Sequence, residues 1–290
     1  MNMLSDWIFR ATRFCRKGGA LSLAALAFFM LPGSATAGAT YTMGVVPQFE
    51  QRKLFAIWKP IVEELRRRTG VDIKLMVTLS VPEFEGALEN GTFDFVYANP
   101  YHVLRVSDSQ GYIPLIRDTA PLRGILVVRQ DSPFKNIKDL QGKTLAVPSP
   151  NALGASLLLR AELERVHGVR LSLLNAKNHS SVYLHVLNGL TEAGGGVQKT
   201  LAEQAPDIQA QLRVLYTTRD MPSHPVAVHP RIPPAVRGQL KQALLDMAAT
   251  TSGKALLDEI PMPVPVATSL EDYLPMRQWG LEKYWVNERK

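Results

Sequence analysis

Strand-like and helix-like segments alternate along this chain in two successive series, and that alternation limits the fold more than any other feature. In the first series, residues 41–46 read as a strand and residues 52–69 as a helix, with Phe55, Trp58, Val62 and Leu65 on one face. Strands at 71–78, 93–97 and 112–116 follow, separated by helices at 82–89 and 100–108. The second series places strands at 124–129, 145–147, 169–174, 212–217 and 225–228, with a glycine-rich strand-like stretch at 191–197. This pattern predicts α/β architecture with parallel sheets covered by helices on both faces. Beyond residue 228 only helices are expected, at 234–249, 253–260 and 270–286. Two α/β units of about a hundred residues each, followed by a helical C-terminal tail, predict two lobes. The expected first lobe is discontinuous (38–122 and 225–290), the second covers 123–224, and the chain crosses near Pro121-Leu122-Arg123 and Ser223-His224-Pro225. Sheets of this kind bind ligands beyond their strand C-termini, which puts the expected site in the cleft between the lobes.

The first 37 residues read as a signal peptide. Arg10, Arg13, Arg16 and Lys17 form a basic region, residues 20–31 an apolar core too short to span a bilayer, and Ser34-Ala35-Thr36-Ala37 a cleavage site after Ala37. The expectation is export to a bacterial periplasm. Cys15, the only cysteine, precedes the apolar core, so the remainder has no disulfide, cysteine nucleophile or thiolate metal site. A chain of this size buries enough core without such staples. The leader holds four basic groups against one acidic one, so three of the seven formal positive charges leave with it. Arg66-Arg67-Arg68 reads as a solvated helix end closed by Gly70, and no nucleic-acid footprint appears.

Three segments share a design of strand, polar cap and helix start: Tyr97-Ala98-Asn99-Pro100-Tyr101, Ser149-Pro150-Asn151-Ala152 and His179-Ser180-Ser181 after Asn178. Ser149 is expected to cap a helix opening at Pro150. A helix start offers free amides and the positive end of a dipole, so converging starts hold an oxyanion without a fixed cation. A single such segment is an ordinary cap; three at the same ends of their strands point to a site. Gly194-Gly195-Gly196 marks either a close backbone approach or a ligand contact. The candidate ligand-binding set is Gln48, Tyr97, Asn99, Tyr101, Ser149, Asn151, Ala152, His179, Ser180, Ser181 and Gly195. Of the three tyrosines Tyr97, Tyr101 and Tyr183, at least one is expected in the core.

The chain lacks the nucleophile elbow, the phosphate loop and the dinucleotide fingerprint, and its six histidines have no metal spacing. The expectation is a binding protein and not an enzyme, with no cofactor and no metal.

In the order in which they occur, several segments resemble the phosphate/phosphite/phosphonate type of periplasmic substrate-binding protein of ABC transporters. They are Trp58 with Pro60, LENGTFDFVYANPY at 88–101, Asp139-Leu140-Gln141-Gly142-Lys143, the turn at 148–154, and His179-Ser180-Ser181-Val182-Tyr183 before the glycine triplet. The resemblance implies a two-lobed type II binding-protein fold that closes on a small oxyanion such as phosphonate, phosphite or phosphate. The implied partner is an inner-membrane permease, or alternatively a membrane-bound sensor, and the protein is expected to be a monomer. The family's turn at the second lobe is rich in Ser and Thr, whereas this chain carries Ala152-Leu153 there.

Overall fold

The structure is a computed structural model and describes residues 39–287; the expected leader lies outside the described residues. Strands β1 (Thr40–Val45), β2 (Asp72–Val77), β3 (Phe95–Tyr97) and β4 (Ile113–Asp118) belong to one sheet. A second sheet takes β5 (Gly124–Arg129), β6 (Thr144–Val147), β7 (Ser172–Asn175), β8 (Ala193–Val197) and β9 (Leu212–Thr217). The chain then returns to the first sheet with β10 (Val226–Val228) and β11 (Pro265–Ala267), giving the orders β11-β4-β10-β3-β1-β2 and β7-β6-β8-β5-β9.

Both sheets are mixed, which corrects the all-parallel expectation. The pairs of β1 with β2 and β3, and of β6 with β7 and β8, are parallel. However, β10 runs antiparallel between β3 and β4, and β5 runs antiparallel to β8 and β9. Each of these antiparallel strands lies next to a crossing of the chain: β5 opens just after the first and β10 just after the second. The crossing segments themselves pair, with Leu122 and Met221 exchanging two backbone hydrogen bonds of 2.9 Å.

In helix α1 (Gln51–Thr69) the buried stripe is Leu54, Trp58, Ile61, Val62 and Leu65, and Phe55 is turned to solvent. Gly70 ends the helix in a left-handed conformation, as its position after three arginines predicts. Helices α2 (Val81–Glu89) and α3 (Pro100–Arg105) follow, the latter capped by the Asn99 side chain on the His102 amide. After the short α4 (Ser107–Gln110), the second lobe holds α5 (Leu159–His167) and α6 (His179–Leu187), with Asn178 capping α6 through the Ser181 amide. The short α7 (Gln198–Ala202) and α8 (Pro206–Ala210) precede β9, while α9 (Pro234–Ala248) and α10 (Thr251–Glu259) cover the first sheet.

Two expectations fail in the connecting elements. Ser149 does not cap a helix at Pro150; its hydroxyl accepts from the Asn151 amide, and the chain turns again before a π-helical stretch, Leu153–Leu158, that runs into α5. The predicted helix at 270–286 is three 3₁₀ turns, Leu270–Asp272, Leu274–Trp279 and Leu281–Tyr284, preceded by the unforeseen β11. Pro275 and Gly280 interrupt any longer helix there.

Those turns pack against both lobes. Tyr273, Met276, Leu281 and Tyr284 share one apolar cluster with Tyr101 and Leu104 of α3 and with Leu153, Leu157, Leu158 and Ala161 of the π-helix and α5. Among the described residues no helix is long and apolar enough to cross a membrane.

Candidate ligand-binding cleft

The cleft lies where strand ends of both sheets meet the crossing segments. It is lined from the first sheet by Val46, Pro47 and Gln48 after β1, by Val81, and by Asn99 and His102 at the start of α3. Pro148, Ser149, the run 152–155, His179 and Val197 face them from the second sheet, and Leu122 and His224 come from the crossing segments. The enclosed space is about 40 Å³, room for about three waters, which is the scale of one tetrahedral oxyanion. Contacts beside it hold the lobes together: Asn151 donates to Glu85 at 3.0 Å, Lys199 to the Asp258 carbonyl at 3.1 Å, and Lys53 pairs with Glu203 at 3.8 Å.

The π-helical start gives the second lobe its polar edge. Ser156 and Leu157 are the first residues whose amides return to Ala152, at 2.9 and 3.0 Å. The amides of Leu153, Gly154 and Ala155 therefore precede the first turn-closing bond and have no helical acceptor. This main chain is packed hard against the sheet: a side chain at Gly124 would collide with the Gly154 carbonyl, and one at Gly195 with the Ala155 carbonyl.

Three imidazoles bring polar atoms to the same space. His102 contacts Glu85 through Nε2 at 3.0 Å, and its Nδ1 has no partner. The Glu85 carboxylate is turned to His102 and Asn151 and is absent from the cleft wall. His224 stacks on Tyr97 with ring centroids 5.4 Å apart, and the Gln48 amide reaches its Nε2 at 3.4 Å. With that amide donating, neutral His224 carries its proton on Nδ1, a buried donor with no partner. His179 Nδ1 lies 3.3 Å from the Thr200 hydroxyl, which donates to the Val197 carbonyl at 2.9 Å. In the tautomer that satisfies Thr200, His179 donates from Nδ1 and keeps a lone pair on Nε2.

Burial pushes the His179 imidazole down to about 4. It pushes His224 down to about 3, helped by the neighbouring His102 and His179 rings. Both are neutral near pH 7, and no lysine or arginine lines the cleft. Among the described residues no cluster of three or more His, Cys, Asp or Glu is arranged to hold a metal ion.

Of the predicted site residues, Gln48, Asn99, Ser149, Ala152 and His179 come together on the cleft wall. The other six stand elsewhere. Tyr97 is a buried layer behind His224 and also packs on Trp58. Tyr101 donates to Glu282 at 2.5 Å in the tail cluster. Asn151 is fully buried and spends its amide on Glu85 and Val286. Ser180 and Ser181 are half-buried in the first turn of α6, and Gly195 lies against the Ala155 carbonyl. His102, Leu122 and His224 also line the cleft and lie outside the predicted set. The signal for His102 was its place on the first turn of a capped helix; His224 had only its position at a crossing.

A larger groove of about 330 Å³ runs beside α5, lined by Arg160, Glu164, Arg170 and Lys283. It lies away from the strand C-termini, and Glu164 there is already paired with Arg170, Lys283 and Tyr284.

Two mixed α/β sheets joined by paired crossing segments, with a shut polar cleft between them, define a two-lobed type II binding protein. The family model for the periplasmic substrate-binding protein of phosphonate ABC transporters matches residues 43–273, and the chain belongs to this family. It is 21% identical over 259 residues to the phosphonates-binding periplasmic protein of Escherichia coli K12, covering 83% of this chain and 75% of that protein. The fold is similar to the crystal structure of a binding protein component of an ABC phosphonate transporter from Pseudomonas aeruginosa. That match has a TM-score of 0.77 and 16% identity, over 85% of this chain and 87% of the other. It is also similar to PhnD1 of Prochlorococcus marinus in complex with methylphosphonate, with a TM-score of 0.75 and 15% identity over 85% of this chain and 99% of that one.

Proposed function

We propose that the protein captures a small phosphorus oxyanion, a phosphonate first among them, and delivers it to an inner-membrane ABC permease without chemical change. The observation that carries this reading is the convergence of polar groups from both lobes on one oxyanion-sized space. The first lobe and the crossing segments bring Asn99, His102 and His224, and the second brings Ser149, His179 and the amides of residues 153–155. A ligand touching both sides favours the closed arrangement over the open one by its differential affinity. Converging neutral donors hold an anion without a fixed cation. The protein acts as a monomer in the periplasm after cleavage near Ala37. Its lobes divide at 38–122 with 225–290, and at 123–224, a division supported by the sheet order and the Leu122–Met221 pairing.

A thermal-shift screen against methylphosphonate, phosphite, phosphate and sulfate tests this. A ligand at about a hundred times its Kd adds roughly 2.7 kcal/mol, a rise of a few degrees. The phosphorus ligands should stabilise the protein, and His179→Ala and Ser149→Ala should abolish the shift. No shift with any phosphorus oxyanion would sink the reading.

A further inference from the structure

Leu122 and His224 form a partition. On its far side is a second space of about 370 Å³, and both residues line it as well as the cleft, so the two spaces share this wall. The other apolar walls are Ala120 and Pro121, ahead of the first crossing, and Pro261 and Pro263, after α10.

Every charged residue of this outer space is already engaged. Asp118 accepts from the Ala120 and Val264 amides, each at 2.7 Å. Arg123 is held by Asp220 at 2.5 Å. Lys199 donates to the Asp258 carbonyl and pairs with Glu203 at 3.5 Å, while Asp258 pairs with Lys254 at 2.9 Å. A charged group entering here would find no counter-charge that is not already paired. An apolar group would instead bury its surface against proline rings whose backbone is already fixed. The space also exceeds the roughly 150 Å³ that is enough for a benzene-sized molecule.

We propose that the outer space is a substituent pocket, and that the ligand is an organophosphonate bearing a neutral, mainly apolar group of about ring size. Its oxyanion occupies the cleft and its organic group passes between Leu122 and His224 into the outer space. This rests on the reading of the cleft as an oxyanion site.

The test is titration calorimetry of the protein recovered from the periplasm of an expressing bacterium, with methylphosphonate and phenylphosphonate as probes. Phenylphosphonate should bind at least about tenfold more tightly, since burying its ring is worth more than one factor of ten in affinity. In Ala120→Trp, which fills the outer space from an exposed position, the ratio of the two affinities should fall to about one. Pro263→Trp should do the same if the first variant does not fold. Methylphosphonate binding with an equal or weaker response to phenylphosphonate overturns the pocket and leaves the oxyanion reading standing. Binding of neither probe overturns both.

Discussion

Asn151 and Val286 exchange two hydrogen bonds: the Asn151 amide donates to the Val286 carbonyl at 2.8 Å, and the Val286 amide donates back to Oδ1 at 2.9 Å. The second amide hydrogen of Asn151 goes to Glu85 at 3.0 Å. One fully buried side chain thus ties the second lobe's turn both to the first lobe and to the end of the tail. Arg160 adds to the clasp by donating to the carbonyls of Pro150 and Tyr284, each at 2.7 Å.

Asn151→Ala should therefore cost stability beyond a lost surface contact. It leaves the Val286 backbone groups and one Glu85 oxygen without partners, a loss of about 2–4 kcal/mol. Urea unfolding measures it, and a change below about 0.5 kcal/mol would show that the clasp contributes nothing.

The buried histidines make stability depend on pH. In the unfolded chain a histidine takes up its proton near pH 6.5, whereas folded His179 resists until about 4 and His224 until about 3. Between pH 6.5 and 4 the unfolded state binds more protons, so the contribution is whole above 6.5 and shrinks as pH falls. The ligand-free protein should lose a few kcal/mol over that range. In the double variant His179→Gln/His224→Gln the slope should flatten, and an unchanged slope would refute the assignment.

Ligand capture should be coupled to a proton. Neutral His179 presents a lone pair on Nε2, so a phosphonate meets it with a hydroxyl of its own or with a proton taken up on binding. Calorimetry near pH 7.5 in buffers of different ionisation enthalpy should show net proton uptake, with affinity weakening as pH rises. His179→Gln should remove the buffer dependence; its persistence would move the effect to another group.

Gly124→Ala and Gly195→Ala should each destabilise by about 1–3 kcal/mol, because the new methyl group meets backbone that cannot rotate away. Both should also weaken methylphosphonate binding by shifting the amides of residues 153–155. Gly238→Ala is the control: it lies within α9 with open space around it and should stabilise by up to about 1 kcal/mol. Thermal midpoints and affinities of the three variants separate packing from binding.

Much of the fold was legible because it is written locally. Asn99 and Asn178 cap helices as their type predicts, and Gly70 stops a helix where three arginines end it. Local rules failed where tertiary contact decides. Ser149-Pro150 has the form of a helix start, yet the close packing of the 154–155 backbone on Gly124 and Gly195 is visible only once the sheet is built. Phe55 fits the helical period as well as Leu54 does, and only the neighbouring sheet chooses between them. His102 and His224 are more than a hundred positions apart, and the antiparallel β10, placed between β3 and β4, is what brings them to one cleft.

The contact of Gly124 and Gly195 with the π-helical backbone limits how this protein can diverge. Main-chain amides cannot be exchanged by mutation, and any side chain at either glycine displaces them. Drift toward a new nutrient therefore has to work through the residues facing that fixed edge, with apolar Leu122 as the position most open to change. A lineage of such proteins would keep one unchanging grip for the shared headgroup and rewrite the opposite wall for each new cargo.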